Sequence, residues 1–239
     1  MLAHRGLALD APENTLLAFA KAVAVGAEYL ETDVHLTADG VAVVAHDPTL
    51  ERVADRDVEV SKLTMAELRR IDLGHGQGFC SLEEALDAFP ETRFNIDVKI
   101  EGAVEATVAS VAKLRAGPRV LLTSFSEGRR RRLAAYVLDA ATSVGGAGVI
   151  RTRLASLTGS TRAVRSALRG ADALQIPERF GVVPLVTERF IAAVHRAGAE
   201  VHVWTINEPA DMTRLLDLGV DGLVTDRADR ALPLITARN

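Results

Sequence analysis

The sequence has 239 residues, 48% apolar and 25% charged, with a net charge of −4. That is ordinary globular composition, and its weak negative charge gives no overall pull toward nucleic acid or anionic membranes, so neither is expected as a partner. A single cysteine, Cys80, excludes an internal disulfide framework and is expected to be a small buried thiol.

In chain order, short apolar runs near 2–4, 28–34, 41–45, 93–98, 119–123, 140–144, 172–176, 200–205 and 221–224 read as strands. Helical patterns lie between them near 14–25, 63–71, 81–89, 102–115, 127–137, 160–169, 187–197, 208–218 and 227–235. Such alternation predicts parallel strands joined by crossover helices, and this many units in so short a sequence suits a closed (β/α)8 barrel. Residues 1–239 are expected to form one domain, because barrels of this length fold as single units.

Local signals support the boundaries. Pro12 and Asn14 precede a helical run, Ser81 and Glu84 have capping-box spacing, and Asn207-Glu208-Pro209 reads as a cap with proline in the first turn. Gly26, Gly198 and Gly219 follow apolar helical runs where a left-handed residue closes a helix. Residues 47–80 break the rhythm with a polar stretch and the glycine-rich Gly74–Gly78. They carry too little apolar content for a separate core and are read as a small insertion after the second barrel unit. The run Arg129–Arg132 reads as a solvated helix face. Nothing in Met1–Gly6 resembles a targeting leader and no window approaches the ~20 apolar residues of a membrane span, so a cytoplasmic protein is expected.

Four polar clusters fall at predicted strand ends, where a barrel keeps its active site. They are His4-Arg5-Gly6, Glu31-Thr32-Asp33, His46-Asp47 and Asp97-Val98-Lys99. Period-two geometry points Glu31 and Asp33 to one side of their strand. Two like charges that close need a cation, and oxygen ligands favour a hard one, Mg2+ or Ca2+, with Asp97 able to supply a third carboxylate. Arg5 and Lys99 add positive charge suited to phosphate oxygens. Two histidines beside them can take a proton from an attacking oxygen and give one to a leaving alkoxide.

At these residues the sequence resembles the glycerophosphodiester phosphodiesterase family. The resemblance rests on Ala3-His4-Arg5-Gly6, Ala11-Pro12-Glu13-Asn14-Thr15, Leu30–Val34, Leu36–Gly40, Val43–Asp47, Asn95–Lys99, Leu122–Ser126, Val203–Asn207 and Gly219–Asp226. It implies a (β/α)8 barrel with an insertion after the second histidine. It also implies metal-dependent hydrolysis of small-molecule glycerophosphodiesters to sn-glycerol 3-phosphate and an alcohol. His4 and His46 would be the acid–base pair, Glu31, Asp33 and Asp97 the ligands of one Mg2+ or Ca2+, and Arg5 and Lys99 the phosphate contacts. Trp204, which would otherwise read as core packing, matches a tryptophan lining the pocket near the glycerol. The family usually has glutamate where this sequence has Asp97, one methylene shorter. Two rival readings follow. One is a lysophospholipase D-type activity, which would want an apolar rim that residues 47–80 supply only through Leu63, Met65 and Phe79. The other is a non-catalytic barrel that binds glycerophosphodiesters.

Overall fold

The computed structural model describes residues 1–238. Eight parallel strands make its main sheet: β1 (Leu2–His4), β2 (Tyr29–Leu36), β3 (Arg93–Val98), β4 (Val120–Thr123), β5 (Ala141–Thr142), β6 (Ala173–Pro177), β7 (Glu200–Trp204) and β8 (Gly222–Thr225). Each pairs with its neighbour in sequence order, and β1 pairs with β8. A single parallel bridge, Ser143 to Ala173, joins β5 to β6 and nearly closes the ring. Helices run between the strands on the outside, giving the (β/α)8 barrel that the alternation predicts.

Strand alternation explains both the core and the site. Leu30 and Val34 on β2, with Phe94, Ile96 and Val98 on β3, face outward and are buried against the helices. The residues between them face the barrel axis. Register sets Glu31 beside Asn95 and Asp33 beside Asp97, and His4 beside Glu31, so five residues on three strands share neighbouring levels of one wall. At the level of Glu31, Asn95 donates to Gln175 (3.5 Å), and Gln175 meets Nδ1 of His202 (3.3 Å), a polar layer spanning the barrel.

Several local expectations are met. Ser81 and Glu84 form a reciprocal capping box on the helix Leu82–Ala88, and Gly26, Gly198 and Gly219 all take positive φ after their helices. Cys80 is buried, and burial pushes its thiol up to about 12. Other expectations are corrected. The cap of the helix Leu16–Ala24 is Thr15, not Asn14, and the helix Pro209–Asp217 has no side-chain cap from Asn207. Both asparagines are drawn into the site instead. The run 41–45 is not a barrel strand: Ala42–Val44 lies antiparallel on the end of β2. The run Arg129–Arg132 is only half a solvated face, because Arg130 is buried on Glu127 and Arg129 donates to the carbonyls of Val98 and Lys99.

The excursion through 47–80 lies between β2 and the helix Leu82–Ala88. It holds a two-stranded ribbon, Thr49–Leu50 with Arg56–Glu59, over a small cluster of Leu50, Val60, Met65, Leu68 and Phe79. Two elements have no counterpart in the sequence reading: the helix Gly146–Leu157 and the ribbon Arg179–Phe180 with Val183–Pro184. Among the described residues no helix is long and apolar enough to cross a membrane.

Candidate active site

The C-terminal ends of the strands surround a cavity of about 640 Å3 lined by His4, Arg5, Glu31, Asp33, His46, Asp97, Lys99 and Trp204, every candidate named from sequence. β1 ends at His4, and the chain then turns sharply: Arg5 takes a φ of +54° and Gly6 +86°. A side chain at Gly6 would come within 2.6 Å of the Ala18 backbone, so only glycine lets this turn pack on the first helix. The turn brings the Arg5 amide to Glu31 Oε2 (3.2 Å) and its guanidinium to Asp33 Oδ2 (3.3 Å) and Glu13 Oε1 (3.0 Å).

Each histidine is held by a carboxylate. His4 Nδ1 lies 2.6 Å from Asp226 Oδ1, leaving Nε2 toward the cavity and 3.9 Å from Glu31 Oε2. Burial alone would lower the His4 pKa, but Asp226 and Glu31 outweigh it and the pKa is raised. Asn207 fixes Asp226 in turn, donating to Oδ2 (2.8 Å) while its own oxygen accepts from the Asp226 amide (2.9 Å). His46 Nδ1 lies 2.7 Å from Asp47 Oδ1, and the His46 carbonyl is 3.2 Å from His35 Nε2. Arg52, from the insertion, donates to Asp47 Oδ2 (2.6 Å) and forks onto both oxygens of Glu13 (2.6 and 3.0 Å). An unbroken ionic chain therefore runs from His46 through Asp47, Arg52 and Glu13 to Arg5.

The floor holds three buried acids. Asp33 accepts from Lys99 (2.7 Å) and from the Asn14 amide (3.2 Å), and Asn14 also accepts from Thr32 (2.8 Å). Lys99 reaches Asp97 Oδ2 as well, at 2.7 Å. Burial, with help from Asp33, pushes Glu31 up to about 8, and burial raises Asp97 against the opposing pull of Lys99. Three acids in so dry a place are not neutralised by Lys99 and a shared arginine alone. Among the described residues no three acidic, histidine or cysteine side chains close on one point as a ready cage, because the Lys99 ammonium occupies the space between Asp33 and Asp97. Donor atoms nevertheless stand free there: Asp97 Oδ1 and Asn95 Oδ1 are buried without a hydrogen-bond partner. Unpaired buried oxygens beside a destabilised acid fit an oxygen-liganded divalent cation.

Asp226, Asp47, Asn14, Asn95, Asn207, Glu13 and Arg52 belong to this arrangement, although the sequence reading assigns none of them a role in it. Asp226 directly follows β8, so the strand-end rule that selects His4 and Asp97 selects it equally. Arg52 has no such signal, because a short helix within the insertion, Glu51–Ala54, carries it.

A family model described as "Glycerophosphoryl diester phosphodiesterase family" matches residues 4–230. A Mycobacterium tuberculosis protein assigned as glycerophosphodiester phosphodiesterase 2 is 40% identical over 239 residues, 99% of this chain and 90% of that protein. A glycerophosphodiester phosphodiesterase of Caldanaerobacter subterraneus subsp. tengcongensis is 26% identical over 98% of this chain and 97% of its own length. The crystal structure of a protein assigned as a glycerophosphoryl diester phosphodiesterase from Silicibacter pomeroyi DSS-3 superimposes with a TM-score of 0.83 at 28% identity, covering 99% and 93% of the two chains.

Proposed function

The chain belongs to the glycerophosphoryl diester phosphodiesterase family and is an enzyme of that activity, and on this premise we propose that it uses His4 and His46 as an acid–base pair with one bound Mg2+ or Ca2+, releasing sn-glycerol 3-phosphate and an alcohol. The observation that carries the proposal is the pairing of each histidine, through Nδ1, with its own carboxylate above three buried acids, Arg5 and Lys99.

A carboxylate only accepts, so Asp226 and Asp47 hold the proton on Nδ1 and leave each Nε2 to exchange protons with substrate. His4, kept protonated to higher pH by Asp226 and Glu31, is the donor to the leaving alcohol oxygen. His46 takes the proton from the attacking oxygen. Among the described residues no serine or cysteine stands bonded to either histidine as a nucleophile, which favours attack by the substrate's own glycerol 2-hydroxyl, with water then opening the cyclic phosphodiester. Arg5 and Lys99 hold the phosphoryl oxygens, and Trp204 packs beside the glycerol. Glu31, Asp33 and Asp97 would hold the cation, which when bound supplies charge neutralisation at the phosphoryl oxygens.

The test is release of sn-glycerol 3-phosphate from glycerophosphocholine in the presence of Mg2+ or Ca2+. Turnover should vanish in excess chelator and in Glu31→Ala. Full activity in a preparation shown to be metal-free would remove the cation from the proposal, and no product with either cation would overturn it.

A further inference from the structure

The polar layer inside the barrel has a direction. Glu200, the first residue of β7, sits at the N-terminal end of the strands, away from the cavity, with its carboxylate 2.9 Å from Nε2 of His202. That bond holds the Glu200 carboxyl below its ordinary range. A carboxylate only accepts, so Nε2 carries the ring proton and Nδ1 is left as an acceptor. Gln175, level with His202 on β6, must then turn its Nε2 to the ring (3.3 Å), and its Oε1 accepts from Asn95 Nδ2 (3.5 Å). The ring is fixed in this line: His202 is buried, and a Cβ at Gly222 would come within 2.7 Å of it, so glycine leaves the space the imidazole fills. All three donors point the same way, from Asn95 down to Glu200.

At the upper end this direction leaves one atom over. Asn95 is 3% exposed, lines the active-site cavity in register with Glu31, and its Oδ1 has no hydrogen-bond partner among the described residues. An amide turned the other way would set an N–H there, the natural partner of a buried acid. The layer sets an oxygen there instead, and a buried oxygen among acids is satisfied only by a cation or a proton. We propose that Asn95 Oδ1 is a neutral fourth oxygen ligand of the cation held by Glu31, Asp33 and Asp97, and that Glu200, His202 and Gln175 are positioning residues that keep the oxygen of its amide, not the nitrogen, turned to the site. The inference rests on the cation reading above and extends it to a control exerted from the opposite end of the barrel. Side-chain amide oxygens are ordinary ligands of hard cations, and one here adds a contact without a fourth negative charge. Hydrogen bonds behind a ligand set its orientation, and their loss weakens metal binding.

The test is cation affinity, read by titration calorimetry with Mg2+ and with Ca2+ on the full chain. Asn95→Leu keeps the shape of the side chain without its oxygen and should weaken binding by about ten- to a hundredfold. The Glu200 side chain is 64% exposed, so it can be replaced without opening the core. Glu200→Gln still offers Nε2 an acceptor and should bind as wild type does. Glu200→Lys offers only donors, so the ring proton moves to Nδ1 and the amides of Gln175 and Asn95 turn over. Its affinity should fall by about tenfold, while the cation-free protein melts as wild type does. The 15N shifts of the His202 ring report the switch directly: Nε2–H in wild type and Glu200→Gln, Nδ1–H in Glu200→Lys. Wild-type affinity in Asn95→Leu would overturn the ligand. A ring proton that stays on Nε2 in Glu200→Lys, or one that moves with affinity unchanged, would overturn the relay, and this pair decides even if Asn95→Leu fails to fold. No binding of either cation by the wild type would overturn the cation reading beneath the inference as well.

Discussion

At the scale of single residues, Asp226 does for His4 what no neighbour in sequence could do. It sits 222 positions away, yet closes to 2.6 Å because β8 pairs with β1. Burial pulls the His4 pKa down, and the hydrogen bond to Asp226 is the first of the interactions that pull it back up, ahead of the Glu31 charge and of the charge on Asp226 itself. Asp226→Asn keeps an acceptor for Nδ1 but leaves that bond without its charge, so the pKa falls. We expect kcat to drop about tenfold or more, toward the ~10²–10⁴-fold loss that general acid catalysis is worth and that His4→Ala should show. The alkaline limb of the pH–kcat profile should move to lower pH, because the acid must stay protonated to act. A profile of reduced height with its limb unmoved would show that Asp226 serves only as packing. The histidines and the acid pair are legible in sequence because each stands beside a strand end. Asn14 and Asn207 were not: an asparagine before a helix reads as a cap, and only the fold shows them turned to Asp33 and Asp226.

At the scale of elements, the insertion works as a brace. Its short helix Glu51–Ala54 carries Arg52, which ties Asp47, and through it His46, to Glu13 and Arg5. The fork onto Glu13 needs a planar guanidinium, so lysine cannot replace it. Arg52→Lys and Arg52→Met should each lower kcat/KM about tenfold. Stability should change by no more than ~1 kcal/mol, because the Arg52 side chain is half exposed and such pairs are worth little. Unchanged kinetics in both variants would show the ionic chain to be incidental. Most strands and helices were readable from periodicity, since one face of each is buried. The helix Gly146–Leu157 was not, for a physical reason: Gly145, Gly146 and Gly148 open it with breakers, and Ile150 and Leu154 face solvent where an amphipathic pattern wants polar residues. The run 41–45 failed differently. It is a true strand by composition, but composition does not say whether a strand joins the barrel or folds back on β2.

At the scale of the whole molecule, the acid floor ties stability to pH and, on the proposal above, to a divalent cation. Glu31 and Asp97 have folded-state pKa values above their ordinary ones, so the folded protein holds protons that the unfolded chain has already released. Their contribution is full below the ordinary carboxylate range near ~4 and is lost as pH rises, that of Glu31 as pH approaches about 8. His4, also raised, loses its share in the same direction. His35 opposes them: burial lowers its pKa, so its contribution grows as pH rises toward its ordinary value near ~6.5 and is complete above it. Glu13, Asp47 and Asp226 are held low by their partners, and their stabilisation disappears only in acid. Between pH 5 and 8 the raised groups outnumber His35, so the metal-free enzyme should lose thermal stability as pH rises. Mg2+ or Ca2+ competes with those same protons and should therefore stabilise more at pH 8 than at pH 5. At a hundredfold excess over Kd the gain is about 2.7 kcal/mol, or roughly 5–10 °C in Tm for a protein of this length. Glu31→Gln removes the most strongly raised acid and should shrink both the pH slope and the cation effect, whatever its activity. Melting curves with chelator, Mg2+ and Ca2+ at the two pH values decide it. Equal Tm shifts in wild type and Glu31→Gln would place the cation elsewhere, and no shift in either would leave Lys99 and Arg5 as the counter-charges the floor requires.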